Sequence, residues 1–174
     1  MMDWTSIVQE YGPTVWRTVN RLIPSVADSE DCFQKAFFSA WEFSQTQTVR
    51  NWPALLRRMA TARALERRRE IARHRGRLVA LPDEGVIDKR SGDPADYAIA
   101  MELEESLRRA LAEIGPHEAE VFCLTCLEGL TYREVGSQLG LSVNHVGVIL
   151  NRARSQLRDR LGRLASHTRT DRGG

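Results

Sequence analysis

Residues 131–154 read TYREVGSQLGLSVNHVGVILNRAR, and this stretch decides the fold of the second half of the chain. Thr131 and Glu134 stand three residues apart, the spacing at which each satisfies the other's free backbone donor at a helix start. The short helix they open ends near Leu139, where Gly140 allows a left-handed turn. Ser142 is placed to cap a second helix that runs past Leu161. Val135, Leu139, Leu141, Val146 and Leu150 are spaced to pack the two helices across each other at an angle. The pattern is that of a helix-turn-helix, whose second helix enters the DNA major groove with its N-terminal residues at base edges. Asn144, His145, Gly147 and Val148 occupy that part, and the helix N-terminus also favours phosphate. Downstream, Arg152, Arg154, Arg158, Arg160 and Arg163 are placed for backbone phosphates. A helical hairpin with a solvated charged face is the plainer alternative.

Apolar residues recur at three- and four-residue steps almost everywhere else in the chain, so the fold class is all-α. Ile7, Val8, Tyr11, Val15, Val19, Leu22 and Ile23 form one stripe, which Gly12-Pro13 is expected to kink or divide. A second helix, capped by Asp28 or Ser29, sets Phe33, Phe37 and Trp41 on one stripe, read as core. The polar run 44–51 (SQTQTVRN) reads as a loop, and Pro53 suits the first turn of the helix after it. That helix carries Leu55, Leu56, Met59, Ala62 and Leu65 on one side and Arg57, Arg58, Arg67 and Arg68 on the other. A turn-rich acidic stretch with Pro82, Gly85, Gly92 and Pro94 reads as a linker. Helix resumes near Tyr97 with Leu103, Leu107, Leu111 and Ile114 as its stripe, and Gly115-Pro116 ends it. The chain thus divides into two small helical domains, 1–78 and 97–165, joined by an acidic linker over 79–96, with a disordered tail from 166 to 174.

The chain has 174 residues and a net charge of only +2, but the charge is sorted. Residues 1–49 carry a net −3, 50–77 +8, 78–142 −8 and 143–174 +5. Two basic blocks separated by an acidic one point to two places that touch phosphate. The absence of a long apolar run and of a signal-peptide pattern leads us to expect a cytoplasmic protein without membrane insertion. Cys32, Cys123 and Cys126 are too few for a disulfide scaffold. The Cys123–Cys126 spacing of a redox or zinc half-site lacks further ligands, so buried small side chains are the expectation and no metal or other cofactor is assigned. No nucleophile-base set, phosphate-binding glycine loop or carboxylate cluster indicates an enzyme.

Residues 112–135, from Ala112-Glu113-Ile114-Gly115-Pro116 through Leu127-Glu128-Gly129-Leu130, then Leu139-Gly140-Leu141-Ser142 and Asn151-Arg152-Ala153-Arg154, resemble region four of the extracytoplasmic-function sigma factors of bacterial RNA polymerase. Residues 27–41 (ADSEDCFQKAFFSAW) resemble the region-two helix of the same family, and 52–69 the helix that comes after it. Both resemblances fall in the family's order and together cover most of the chain.

The resemblance implies a promoter-specificity subunit that binds core RNA polymerase and promoter DNA, with an anti-sigma factor as a possible further partner. Asp31, Gln34 and Lys35 would face the polymerase. Gln47, Asn51, Trp52, Arg57, Arg58, Arg63 and Arg67 would serve the downstream (−10) element. There a flipped base needs stacking and hydrogen bonds, and its backbone needs cations. Arg133, Asn144, His145, Val148, Asn151, Arg152 and Arg154 would serve the upstream (−35) element. Two departures stand out. Ala62 and Glu66 replace the family's usual Asn and Asp, and Gly147-Val148-Ile149 replaces its frequent Lys-Ser-Arg. The −35 contacts then rest on Asn144, His145 and flanking arginines, on DNA shape, or on an apolar contact from Val148 to a thymine methyl. A conventional helix-turn-helix regulator acting without polymerase explains the second half equally well, but not the first.

Overall fold

The computed structural model describes the backbone of residues 3–75 and 94–171, with side chains over 3–74 and 98–163. Most of the expected linker over 79–96, and residues 172–174, therefore lie outside the described residues. Seven α-helices and one π turn make up the described chain: α1 Trp4–Leu22, α2 Val26–Thr46, α3 Trp52–Arg75, α4 Pro94–Glu113, α5 Pro116–Phe122, the π turn Cys123–Leu127, α6 Tyr132–Leu139 and α7 Val143–Asp171.

Several boundaries differ from the sequence reading. Pro13 does not divide α1, which runs unbroken through it with Gly12 buried. The cap of α2 is Ser25 rather than Asp28 or Ser29; its side chain accepts from the Asp28 N–H. Asp28 is thereby freed to accept from Arg67, 39 residues along the chain, and the Ser29 hydroxyl to donate to the Ile23 carbonyl just before the helix. α2 also continues to Thr46, into the expected loop. α4 starts at Pro94, a favoured first helical position, rather than at Tyr97. α7 extends through Asp171, past the point where a disordered tail was expected to begin.

α1, α2 and α3 pack round Val15, Val19, Ile23, Ala36, Leu55, Leu56 and Leu65. The same buried cluster continues into Ala110, Leu111 and Ile114 of α4, Ala119 of α5, and Ala153 and Leu157 of α7. A second cluster joins Val121, Leu124, Leu130, Val135, Val146, Ile149 and Leu150 to Ala54 of α3. The N- and C-terminal helices thus share core along α3. That shared core accounts for two departures from the sequence pattern. Arg68, expected on an outward basic face, is only 3% exposed and pairs with Glu105 of α4 at 3.0 Å. Leu103, expected on the buried stripe of α4, is 62% exposed, because among the described side chains of that helix it is Leu107, Ala110 and Leu111 that meet the core.

The π turn was not foreseen. The Glu128 N–H bonds the Cys123 carbonyl, five residues back, and Gly129 then takes a left-handed φ of 71°. A single π turn inserts one extra residue and redirects the chain beyond it. Here Glu128 is aimed back at α1, where its Oε2 accepts from the Thr18 hydroxyl at 2.8 Å.

Candidate nucleic-acid interface

The α6–α7 pair has the caps that the sequence implies. Thr131 Oγ1 accepts from the Glu134 N–H, Glu134 accepts from the Thr131 N–H at 2.8 Å, and Gly140 turns left-handed at φ 68°. Backbone bonding at Thr131 holds the Glu134 carboxyl below its ordinary value. Ser142 accepts from the His145 N–H at the start of α7. The two helices approach so closely that a Cβ on Gly136 would sit 2.6 Å from the Leu141 carbonyl oxygen. Val146, Leu150, Ala153 and Leu157 bury the inner face of α7. Arg133, Asn144, His145, Val148, Asn151, Arg152 and Arg154 are all exposed. Asn144, Val148, Asn151 and Arg152 lie along one outward face at helical spacing. Arg154 points from the flank to Cys126, Nη2 to Sγ 3.7 Å. Tyr132, which the sequence reading passed over, is exposed beside this face, its ring close to Gly147.

On α2, Asp31, Gln34 and Lys35 are exposed together, with Lys35 Nζ 2.7 Å from Asp31. That bond raises the lysine above its ordinary pKa. Trp41, read from the sequence as core, is 41% exposed. It packs against the still more exposed Phe38, ring centres 5.7 Å apart. Both continue the stripe of Asp31, Gln34 and Lys35. The small buried residues Ser29, Cys32, Ala36 and Ala40 recur at three- and four-residue steps, and Phe38 stands off that stripe, two residues from Ala36 and from Ala40.

The residues expected at the downstream element are more scattered. Gln47 lines an open hollow of about 360 Å³ formed by residues 44–49. Asn51 is the cap of α3, its Oδ1 accepting from the Ala54 N–H at 3.0 Å. Trp52 packs edge-on against Trp4, ring centres 5.4 Å apart, a partner the sequence reading did not find. Arg63 bonds Ser39 and Glu66, and Arg67 bonds Asp28 and Glu70. Its bonds to Glu70 and Asp28 raise Arg67 above its ordinary value. Arg57 and Arg58 turn the other way. Arg57 Nη1 donates to the Glu128 carbonyl at 3.4 Å, and Arg58 lies 3.8 Å from Glu120 of α5. Burial raises the Glu120 carboxyl despite that cation. The basic face of α3 is thus divided between α2 and the C-terminal helices.

Among the described residues no group of three His, Cys, Asp or Glu side chains is placed to hold a metal. Cys123 is buried in the π turn, where burial pushes its thiol far up, while Cys126 is exposed. No described helix is long and apolar enough to cross a membrane.

Two family models match the chain: sigma-70 region 2 over residues 7–74 and sigma-70 region 4 over residues 104–157. The chain is 29% identical to the ECF RNA polymerase sigma factor SigE of Mycolicibacterium smegmatis, over 97% of this chain and 65% of that one. It is 28% identical to SigG of Mycobacterium tuberculosis over 89% and 48%, and 23% identical to SigW of Bacillus subtilis over 91% and 88%. The chain therefore spans between about half and two thirds of the length of the first two of these relatives. Two solved structures share the fold. One is the sigma factor RpoE with the anti-sigma factor NepR from Bartonella quintana, with a TM-score of 0.56 and 19% identity over 93% of this chain and 98% of that one. The other is CnrH with the cytosolic domain of CnrY, with a TM-score of 0.55 and 22% identity over 91% and 86%. With both regions matched in order, the chain belongs to the sigma-70 family of RNA polymerase sigma factors and is similar to its extracytoplasmic-function members.

Proposed function

We propose that this chain is a cytoplasmic, non-enzymatic initiation factor that binds bacterial core RNA polymerase, directs it to a promoter and helps melt the DNA there. The observation that carries the reading is the presence, in one chain, of an exposed polar-aromatic stripe on α2 and an exposed recognition face on α7. The first, made of Asp31, Gln34, Lys35, Phe38 and Trp41, docks the polymerase. The second, with Arg133 and Arg154 beside it, reads the −35 element. Gln47, Asn51 and Trp52, held by Trp4, serve the −10 element together with Arg57, Arg58, Arg63 and Arg67. We divide the chain into a region-two domain over 1–78, a linker over 79–96 and a region-four domain over 97–165.

Binding in this scheme requires the two domains to part. Arg57 and Arg58 are engaged by Glu128 and Glu120, and Thr18, Arg21 and Arg68 cross the same joint. Polymerase would hold them apart, exposing those arginines to DNA. The two solved neighbours are complexes with CnrY and with the anti-sigma factor NepR, and a protein inhibitor that holds the closed form fits this reading. Co-elution with sigma-free core polymerase tests the proposal. The wild-type chain is expected to travel with polymerase, and Asp31→Arg, with its helical content intact, to travel apart. Equal loss of binding and helicity in the variant would make Asp31 a folding residue instead.

A further inference from the structure

The recognition face of α7 has an unusual chemistry for a surface that meets DNA. From Val143 to Asn151 the sequence VNHVGVILN contains no lysine or arginine. At the centre of the outward face stands Val148, 50% exposed, with Asn144 one turn before it and Asn151 one turn after. Its inner neighbours Val146, Ile149 and Leu150 are buried, so Val148 is not needed by the core. Gly147 beside it adds no side chain. The nearest ring is that of Tyr132, whose Cε2 would lie 3.6 Å from a Cβ at Gly147. Tyr132 and Val143, 38% and 49% exposed, extend the apolar flank.

A branched apolar side chain neither donates nor accepts a hydrogen bond. On the major-groove edge of a base pair, the group that complements it is the C5-methyl of thymine. Asparagine, in turn, matches the N6 and N7 pattern of adenine. An outward stripe running Asn, Val, Asn is therefore complementary to A·T pairs, and the nearest arginine, Arg152, is left to grip phosphate or a flanking base. We propose that Val148 is a specificity-determining residue that reads a thymine methyl group in the upstream element. The inference rests on the promoter-binding reading above and deepens it by naming the base chemistry at one position.

The test uses the full chain assembled with core polymerase. Duplexes are first selected by this holoenzyme from a randomised pool. Each thymine of the recovered upstream element is then replaced singly by deoxyuridine, which removes only the methyl. At one position the replacement is expected to weaken wild-type binding about fourfold, the value of one buried methyl carbon. In Val148→Ser the same replacement is expected to change nothing, and the variant should bind the deoxyuridine duplex as tightly as the wild type does. That equality also shows the variant to be folded. Deoxyuridine tolerated at every position, an upstream element without thymine, or an undiminished penalty in Val148→Ser would overturn the proposal. Retention of no duplex by the holoenzyme would overturn the promoter reading itself, and the proposal with it.

Discussion

Glu128, at the end of the π turn, forms an ion pair with Arg21 of α1 at 3.2 Å, and its other carboxylate oxygen accepts from Thr18 at 2.8 Å. The glutamate side chain is 8% exposed and the arginine 39%, so the pair is sheltered on one side and screened on the other. Charged hydrogen bonds of this kind contribute about 1.5–3 kcal/mol when buried, and less when half-exposed. Glu128→Ala is expected to lower stability by about 1–2 kcal/mol and to loosen the joint between regions two and four. Small-angle scattering of the free chain checks it: the variant should show a larger radius of gyration than the wild type. An unchanged radius and an unchanged melting midpoint would show that the pair does not hold the joint.

The neighbouring contact gives a pH dependence. Burial works to raise the Glu105 carboxyl, but the charge and hydrogen bond of Arg68, aided by Arg109, outweigh it and hold Glu105 below its ordinary 4.5. A carboxylate with a lowered folded-state pKa binds fewer protons folded than unfolded. Its contribution is fully present above 4.5 and is lost as pH falls through the folded value. The wild type should therefore melt above Glu105→Gln at neutral pH, and the gap should close as the solution is acidified below the ordinary carboxylate range. A gap that stays constant with pH would assign the effect to shape rather than charge.

Gly136 is a point of close approach in the helix-turn-helix, since a Cβ there meets the Leu141 carbonyl oxygen at 2.6 Å, and backbone cannot swing aside. Gly136→Ala should raise the helix propensity of α6 yet destabilise the chain by about 1–3 kcal/mol through overpacking. Thermal melting measures it. A more stable variant would mean that the two helices separate at little cost.

Phe38 is the most exposed aromatic of the α2 stripe, at 58%, and belongs to neither buried cluster. Phe38→Asp should keep the circular dichroism spectrum and melting midpoint of the wild type while its co-elution with core polymerase is lost. Undiminished co-elution would remove the aromatic pair from the docking face.

Much of this was legible in the sequence because local chemistry settles it. The capping box of Thr131 and Glu134, the left-handed Gly140 and the Ser142 cap all act within three or four residues of themselves. What was not legible depends on partners far along the chain. Arg68 looks like a surface cation until Glu105, 37 residues away, is brought against it. Trp41 looks like core until α1 and α3 are seen to cover Ala36, Phe37 and Ala40 instead. The π turn has no strong propensity signal, and its effect shows only when Glu128 reaches Thr18 across 110 residues. The exposed positions of α7 were readable from periodicity. The engagement of Arg57 and Arg58 across the joint was not, because periodicity shows which face a residue takes and not what covers that face.

In the proposed function the chain confers promoter specificity on polymerase. The most direct test is transcription by sigma-free bacterial core polymerase on a library of bacterial genomic fragments, with and without the purified chain. Transcripts with discrete start sites that depend on the chain, and that disappear with Asp31→Arg, are the predicted result. Tight binding of the chain alone to a duplex, with no complex with polymerase and no chain-dependent start, would contradict it and make the protein a conventional helix-turn-helix regulator.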